Sequence, residues 1–261
     1  MTAAFSVVTV VRNDLVGLKA TWESLSSQQC EDWEWVVVDG ASTDGTSDWL
    51  KTIDDSRVHW SSEPDGGIYE AMNKGARGAS GQLLLFLNAA DRLASPTSLQ
   101  TVLDDWQSRG WRWGYGITRI LDEDDQLVMV HSLVPYKPSV VELGYRSIPH
   151  QSCYFTREFF DELGGFDLRY RVAADQELCM RAGRESPPRV MGDVLADFRT
   201  GGASWGRAPD AFVREAAQIR KDQGKPFGGN RVTDTLVTWS MAGELRLRAL
   251  AGRRLRRAGR P

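Results

Sequence analysis

In Val36-Val37-Val38-Asp39-Gly40-Ala41-Ser42-Thr43-Asp44, a β-branched run ends at a carboxylate and a glycine. Two other apolar segments end in the same way, one at Asp91 after Leu84–Leu87 and one at Asp175 after Val172. In open α/β sheets, ligands bind outside the carboxyl ends of the strands. The sequence therefore predicts three acidic loops around a binding site.

Strand and helix patterns alternate over the first hundred residues. The predicted strands are Phe5 to Val11, Trp35 to Val38, Val58 to Ser61 and Gln82 to Leu87, and the predicted helices are Leu15 to Leu25, Thr46 to Ile53 and Ile68 to Ala76. Such alternation is typical of an α/β domain whose central sheet is mostly parallel, flanked by helices and joined by right-handed crossovers.

The alternation weakens after about residue 110. A pair of strands, Trp111 to Arg119 and Gln126 to Ser132, surrounds an acidic turn, and a further strand covers Ser152 to Phe155. Helical patterns resume at Arg157 to Leu163, Gln176 to Ala182 and Pro209 to Lys221. The change of pattern indicates a second half with a different role from the first.

Composition narrows the class of protein. The chain has 261 residues, 41% hydrophobic and 26% charged, which is enough for one large α/β domain with an extension. Its net charge of -3 argues against a nucleic-acid binder, although the last sixteen residues hold seven Arg and no acid. The three cysteines lack metal-ligand spacing, and no apolar run approaches a membrane span, so we expect a reducing cytoplasmic setting without a signal peptide.

The first two acidic loops have chemical and purely structural explanations. Asp39 can accept hydrogen bonds from a base N–H or a ribose hydroxyl, with Gly40 permitting a positive φ, or it can simply stabilise the turn. Asp91 can hold a divalent cation together with the oxygens of a diphosphate, or it can cap a helix. The segment Glu63 to Gly75 pairs a glycine turn with an amphipathic helix and is a third candidate for binding. Its structural alternative is a plain turn and a helix that ends in a left-handed cap at Gly75.

Four motifs in order resemble the family-two inverting glycosyltransferases, which have the GT-A fold. They are Thr9-Val10-Val11-Arg12-Asn13, Val38 to Asp44, Glu63 to Gly75 and Gly81 to Asp91, and the likeness runs from about Phe5 to Ser204. It is greatest to bacterial enzymes of polysaccharide and glycolipid assembly. The resemblance implies a nucleotide-sugar-binding half (1–110), an acceptor-binding and catalytic half of the same domain (111–208) and a C-terminal helical extension (209–261).

The resemblance also implies roles for individual residues of the first half. Its nucleotide pocket corresponds to Thr9, Val11, Asn13, Asp39, Asp65, Asn73, Lys74 and Asn88, with Asp39 reading the base, most commonly uridine. Asp91 falls at the family's acidic metal motif, which binds Mn²⁺ or Mg²⁺. A common form of that motif has acids where this chain has Asn88 and Ala90, so Asp91 is its remaining carboxylate.

The second half supplies a base for the reaction that the resemblance implies. Inversion at a sugar carbon needs one group to take the proton of the acceptor hydroxyl. The segment Gly165 to Leu178 resembles the family's base loop and assigns that role to Asp175, whose alternative is a helix N-cap. The pair His150-Gln151 and a late loop with Arg199, Gly201, Gly202 and Ser204 are expected beside the acceptor and the diphosphate. A structural histidine and an ordinary surface turn are their alternatives.

The tail, Trp239 to Arg260, is basic and amphipathic. Such a segment can lie on anionic lipid and bring a cytoplasmic enzyme to a lipid-linked acceptor, and a solvated helix explains it equally well.

Two other functions of the protein stay open at this point. A sugar nucleotidyltransferase would need a glycine-rich loop after the first strand, and a non-catalytic nucleotide-sugar-binding scaffold would tolerate the missing acids.

Overall fold

The structure is a computed structural model that describes residues 3–200 and 210–258, with side chains described up to residue 247. The described strands are β1 (Phe5–Val11), β2 (Trp33–Asp39), β3 (Val58–Ser62), β4 (Leu83–Phe86), β5 (Arg92–Leu93), β6 (Trp113–Leu121), β7 (Leu127–His131), β8 (Cys153–Thr156) and β9 (Arg189–Arg199). The described α-helices are α1 (Leu15–Ser26), α2 (Thr46–Leu50), α3 (Ile68–Gly78), α4 (Ser98–Arg109), α5 (Pro138–Glu142), α6 (Arg157–Glu162), α7 (Ala174–Glu185), α8 (Ala211–Asp222) and α9 (Arg231–Ala258), and 3-10 turns cover His150–Ser152 and Phe227–Gly229.

One sheet contains all of these strands in the order β3-β2-β1-β4-β8-β6-β9-β5, with β7 attached to β6. Strands β1 to β4 are parallel to one another, as the alternating pattern predicts, whereas the short β5 pairs antiparallel with β9. Strand β8 runs antiparallel to both β4 and β6, whereas β9 runs parallel to β6. The predicted α/β fold is confirmed, and the sheet joins both halves of the chain.

The strand β1 shows why the first half reads as unbroken apolar runs. Val8 and Val10 belong to a core on one side of the sheet with Met72 of α3, while Val7 belongs to a core on the other side with Leu18 of α1. A strand that is covered on both faces needs apolar residues at every position. The loops at its carboxyl end are therefore set on a rigid base.

A glycine allows α3 to approach this sheet closely. Gly75 lies inside α3, and a Cβ there would clash with Cγ1 of Val8 and lie 3.3 Å from Cγ2 of Val38. The left-handed helix cap considered for Gly75 is therefore wrong, because α3 continues to Gly78. The close contact fixes α3 beneath the loops that follow β1 and β2.

Beyond residue 209, the extension is helical, as predicted, but α9 begins at Arg231, before the basic tail. Arg220 of α8 joins the two helices of the extension. Its guanidinium is 1% exposed, and it donates hydrogen bonds to Asp234 (Nε to Oδ1, 2.8 Å) and to Oγ1 of Thr238 (3.0 Å). Across the described residues, we find no helix that is long and apolar enough to cross a membrane.

Candidate active site

The imidazole of His150 is the centre of a buried polar cluster. Its Nδ1 lies 3.5 Å from Oδ2 of Asp175, and its Nε2 lies 4.0 Å from Oδ2 of Asp91 and 3.1 Å from Nδ2 of Asn88. In the tautomer with its proton on Nδ1, the ring donates to Asp175 and accepts from the amide of Asn88. The fold thus brings the loop after β4 and the first turn of α7 to opposite sides of one ring.

Asp91 and His150 influence each other's pKa. Burial raises the pKa of Asp91 to about 7, partly opposed by the charge of His150 and by hydrogen bonds from Gln151 and the backbone of Asn88. Burial alone would lower the pKa of His150, but the hydrogen bond with Asp175 and the charges of Asp175 and Asp91 raise it. The ionisation of each group therefore depends on the charge of the other.

Asp175 lies within the first turn of α7, and the helix N-cap is Ala173, which has no side-chain capping bond. The alternative role of Asp175 as the N-cap is therefore wrong. Its Oδ1 accepts a hydrogen bond from the backbone N–H of Gln176 (2.8 Å). The hydroxyl of Tyr69 lies 3.1 Å from both this oxygen and the carbonyl of Val172, and it can donate to either. These bonds orient the carboxylate, whose side chain is 16% exposed and can meet a bound hydroxyl.

The loop before Asp175 is held by a residue that the sequence does not reveal. The carboxylate of Glu215, on α8, accepts hydrogen bonds from the backbone N–H groups of Arg171 (3.1 Å), Val172 (2.8 Å) and Ala173. A carboxylate at a helix N-terminus satisfies free N–H groups and complements the helix dipole. Glu215 lies too far along the chain for any local pattern to signal this contact, whereas Tyr69 lies within a motif already singled out.

The buried carboxylate of Asp39 is the centre of a second polar cluster, at the end of β2. This carboxylate accepts hydrogen bonds from the backbone and hydroxyl of Ser42 and from the hydroxyl of Ser62 (2.6 Å). Asn13 ties the neighbouring loop to it, since its Oδ1 accepts from the N–H of Thr43 (2.8 Å) and its N–H donates to Ser42 Oγ (2.7 Å). The loops after β1 and β2 therefore form one connected wall.

Gly40, which follows Asp39, is not needed for the positive φ angle that the sequence predicts. Positive φ angles occur at Ala41 (57°) and Asn13 (53°) and not at Gly40. A Cβ at Gly40 would instead lie 2.6 Å from Oδ2 of Asp65, so the glycine makes room for that carboxylate. Nearby, Lys74 forms an ion pair with Glu63. The predicted pocket residues Asn13, Asp39 and Asp65 thus lie together at the ends of β1 and β2.

Three other predicted pocket residues, of which Thr9 and Val11 are buried and Asn73 is half-buried, support the walls from within. The hydroxyl of Thr9 donates to the carbonyl of Leu87 (2.7 Å) and accepts from the indole N–H of Trp35 (2.8 Å), and Val11 is 5% exposed. Asn73 bonds both the N–H (2.9 Å) and the C=O (2.8 Å) of Phe166. In the described structure these side chains support the walls and connect α3 to the segment before Asp175.

The late loop is partly described. Arg199 ends β9, donates a hydrogen bond to the carbonyl of Glu123 and lies 4.0 Å from Oδ1 of Asp125. It therefore contacts the acidic turn between β6 and β7. Gly201, Gly202 and Ser204 lie outside the described residues.

The donor atoms near Asp91 determine which kind of cation site fits. Among the described side chains, no group of three or more His, Cys, Asp or Glu could hold a metal ion. However, the buried Oδ1 of Asn88 has no hydrogen-bond partner. This amide oxygen and the carboxylate of Asp91 are hard ligands that suit Mg²⁺ or Mn²⁺ when the phosphates of a substrate complete the coordination. The residues fit a cation shared with a diphosphate.

Comparison with known proteins places the chain among glycosyltransferases. A family model described as glycosyl transferase family 2 matches residues 6–142. An uncharacterized glycosyltransferase of Mycobacterium tuberculosis is 34% identical over 235 residues, 87% of each chain. A PGL/p-HBAD biosynthesis glycosyltransferase of Mycobacterium bovis is 30% identical over 197 residues, 68% of each chain.

Solved structures share the fold. The structure of S. aureus TarS 1-349 in complex with UDP-GlcNAc has a TM-score of 0.66 at 18% identity, covering 82% of this chain and 66% of TarS 1-349. The mannosyltransferase PcManGT from Pyrobaculum calidifontis, in complex with GDP-Man and Mn²⁺, has a TM-score of 0.64 at 16% identity, covering 96% of this chain and 76% of PcManGT. Family model, relatives and fold agree, and the chain belongs to glycosyl transferase family 2, as a glycosyltransferase with the GT-A fold.

Proposed function

We propose that the chain is an inverting enzyme that moves a sugar from a nucleoside diphosphate-sugar, preferably a UDP-sugar, to a hydroxyl of a saccharide or lipid-linked acceptor. Cell-envelope polysaccharide or glycolipid assembly is the proposed setting, in keeping with the relative named for PGL/p-HBAD biosynthesis. The UDP-GlcNAc and GDP-Man bound by the two proteins of the same fold support a nucleotide-sugar donor.

The observation that carries the proposal is the position of His150 between two carboxylates. Asp175 lies 3.5 Å from one ring nitrogen and Asp91 lies 4.0 Å from the other. A transfer reaction needs a base on the acceptor side and charge neutralisation on the leaving-group side. One imidazole lies between two carboxylates that can take these two roles.

In the proposed reaction, Asp175 accepts the proton of the acceptor hydroxyl. The hydroxyl oxygen then bonds to the anomeric carbon from the side opposite the diphosphate, and the bond to the diphosphate oxygen breaks with its electron pair. Tyr69 and the N–H of Gln176 hold Oδ1 of Asp175, and Oδ2, which faces Nδ1 of His150, is the oxygen proposed to receive the proton. Direct displacement from the opposite side accounts for inversion.

On the donor side, Asp91 and Asn88 are proposed to hold a divalent cation, Mn²⁺ or Mg²⁺, together with the diphosphate. When bound, the cation would neutralise the charge that develops on the leaving group. His150 lies 4.0 Å from Asp91, and its raised pKa favours a positive charge between the two carboxylates.

The nucleoside is proposed to bind against the wall formed by Asp39, Asp65 and Asn13, with Lys74 at its edge. We propose a cytoplasmic enzyme that associates peripherally with the inner face of an anionic membrane through its basic tail. The tail carries seven Arg and no acid in its last sixteen residues.

A thermal-shift panel tests donor binding, using nucleoside diphosphates and their sugars with Mn²⁺, Mg²⁺ or EDTA. A ligand raises the melting temperature in proportion to the logarithm of its concentration over Kd, so the preferred donor gives the largest shift. A companion assay follows diphosphate release in wild type and Asp175→Asn, for which turnover should fall about 10²- to 10⁴-fold with donor binding retained. Clear binding without any release or transfer in the wild type would identify a nucleotide-sugar-binding scaffold instead.

A further inference from the structure

A groove of about 910 Å³ lies between α8 and the first half of α9, away from the cluster around His150. Buried Arg220 joins the helices on its inner side through Asp234 and Thr238. Both of these α9 residues also line the groove. The groove is therefore built into a fixed helix pair.

The groove is positively charged. Its lining includes the cations Arg214, Lys221, Arg231 and Arg246 and the carboxylate of Asp234, which is already paired with Arg220. Arg214 and Arg246 share one carboxylate, that of Asp210. Neither Lys221 nor Arg231 is ion-paired with any side chain that the structure describes. The cations outnumber the carboxylates, so the groove favours an anion.

An apolar strip borders this groove on α9. Val232 and Leu236 are each 66% exposed, and Trp239 is 76% exposed. Their spacing of four and then three residues places them on one side of the helix, and Leu247 continues that side. Trp239 also lines the groove, so the cationic and apolar surfaces meet at this residue.

We propose that the groove and the apolar strip together dock the extension on an anionic phospholipid membrane. Lipid phosphates would occupy the cationic groove while Val232, Leu236 and Trp239 enter the interface between head groups and acyl chains. A second copy of the chain would set one cationic groove against another. A nucleic acid would match the charge but leave the apolar strip in water.

Most of the surface precedes the tail (Trp239 to Arg260), since Arg214, Lys221, Arg231, Val232 and Leu236 all lie before it. The surface and the tail share Trp239, Arg246 and Leu247. The surface also places the membrane near the proposed base. Helix α8 contacts the loop before Asp175 through Glu215 and lines the groove through Arg214 and Lys221. If the proposed function holds, a docked membrane lies one helix away from that loop, where a lipid-linked hydroxyl can reach it.

Sedimentation of the full chain with vesicles tests the proposal without any donor present. Wild type should bind vesicles of equal parts phosphatidylglycerol and phosphatidylcholine and not vesicles of phosphatidylcholine alone. Lys221→Glu/Arg231→Glu should lower the partition coefficient about tenfold or more, since each basic residue near an anionic surface contributes. Trp239→Ala should lower it as well. The matched control is Arg77→Glu, which changes an exposed cation on α3. Its loss of vesicle binding should be less than half of the loss that the double variant shows.

A further variant separates this surface from the tail, with Arg253, Arg254, Arg256 and Arg257 all changed to Ser. The proposal is overturned if this tail variant loses binding while Lys221→Glu/Arg231→Glu binds like wild type. Failure of wild type to bind anionic vesicles also overturns it, as does a short DNA duplex that displaces the chain from them. Donor-induced thermal shifts are recorded for every variant, and they should equal the wild-type shift, so failure of docking is distinguishable from failure of the proposed reaction.

Discussion

The carboxylate of Glu215 accepts a hydrogen bond of 2.8 Å from the backbone N–H of Val172, across 43 residues of sequence. Together with its bonds to Arg171 and Ala173, this contact places a side chain of the C-terminal extension at the N-terminus of α7. The extension carries no proposed reacting group of its own. Through Glu215, however, it determines where the carboxylate of Asp175 lies.

Glu215→Ala is expected to lower kcat roughly 10- to 100-fold, because small displacements of a reacting group reduce rates steeply. The donor Kd should stay within a factor of about two of wild type, since Glu215 does not contact the donor half. Glu215→Gln should recover most of the rate, because the amide oxygen can still accept from the loop. Steady-state kinetics and calorimetric donor titration measure both quantities, with Gln218→Ala on the same helix as control. Unchanged kcat with a lower melting temperature would show a purely structural role.

Tyr69→Phe should reduce kcat by roughly 3- to 10-fold, the range expected for the loss of one hydrogen bond to Asp175. The ring itself packs on Phe166, with centroids 5.4 Å apart, and this contact is retained in phenylalanine. The melting temperature should therefore change little. Stopped assays of diphosphate release over a range of pH give the measurement, and a rate equal to wild type at every pH would contradict the role assigned to the hydroxyl.

Asp91→Asn should make the metal-free protein more stable at pH 8 while abolishing transfer. The pKa of Asp91 in the folded state is raised to about 7, above its value of about 3.9 in an unfolded chain, so ionisation opposes folding. This penalty is absent below about pH 4, grows as the pH rises towards 7 and is complete above it, on the order of 2 to 4 kcal/mol. Urea unfolding in EDTA at pH 4 and pH 8 measures the difference. A variant that is less stable than wild type at pH 8 would refute this account.

Two glycine substitutions should affect different properties, one the stability of the protein and the other its affinity for nucleotide. Gly75→Ala places a methyl group against the buried, β-branched Val8 and near Val38, which should lower the free energy of unfolding by about 1 to 3 kcal/mol. Gly40→Ala meets the flexible end of Asp65 at 2.6 Å, so stability should stay nearly unchanged while nucleotide affinity falls. Urea unfolding and nucleotide titration of both variants test the contrast. Equal effects of the two changes on nucleotide affinity would oppose it.

Removal of divalent cations with EDTA is expected to suppress diphosphate release, and Asn88→Asp should strengthen cation binding. The variant places a second carboxylate where an amide oxygen lies buried without a partner. Because cation affinity increases with ligand charge, the Kd for Mn²⁺ in the presence of nucleoside diphosphate should fall about tenfold. Calorimetric titration measures it. The matched control, Asn230→Asp in the extension, should leave the Kd unchanged.

The first half of the fold follows from its sequence because local patterns dominate there. Strand β1 has the predicted bounds, and both β1 and β4 are buried apolar runs. Strand β9 was not predicted, since Gly192 and Asp193 interrupt its apolar pattern and several of its residues are partly exposed. The sequence also did not reveal that β8 joins the two halves, because strand pairing is a long-range property.

The candidate site is predictable as a set of residues but not as an arrangement. The motifs identified Asp91, His150 and Asp175, which the fold gathers around one ring. They could not show that Thr9 and Asn73 use their polar groups inside the protein. Nor could they reveal Glu215, whose partners are backbone N–H groups and leave no trace in residue identity.

The attachment of the base loop by Glu215 has a consequence for biosynthesis of the protein. A chain leaves the ribosome with its N-terminus first, and folding follows that order. The strands and loops proposed to bind the donor are therefore synthesised and able to fold while α8 is still being made. The carboxylate that orders residues 171–173 is synthesised after these strands and loops, so a nascent chain would complete the proposed donor pocket before the proposed base is in position. Transfer would then require the synthesis of α8, and chains that end before it would bind a donor without transferring its sugar.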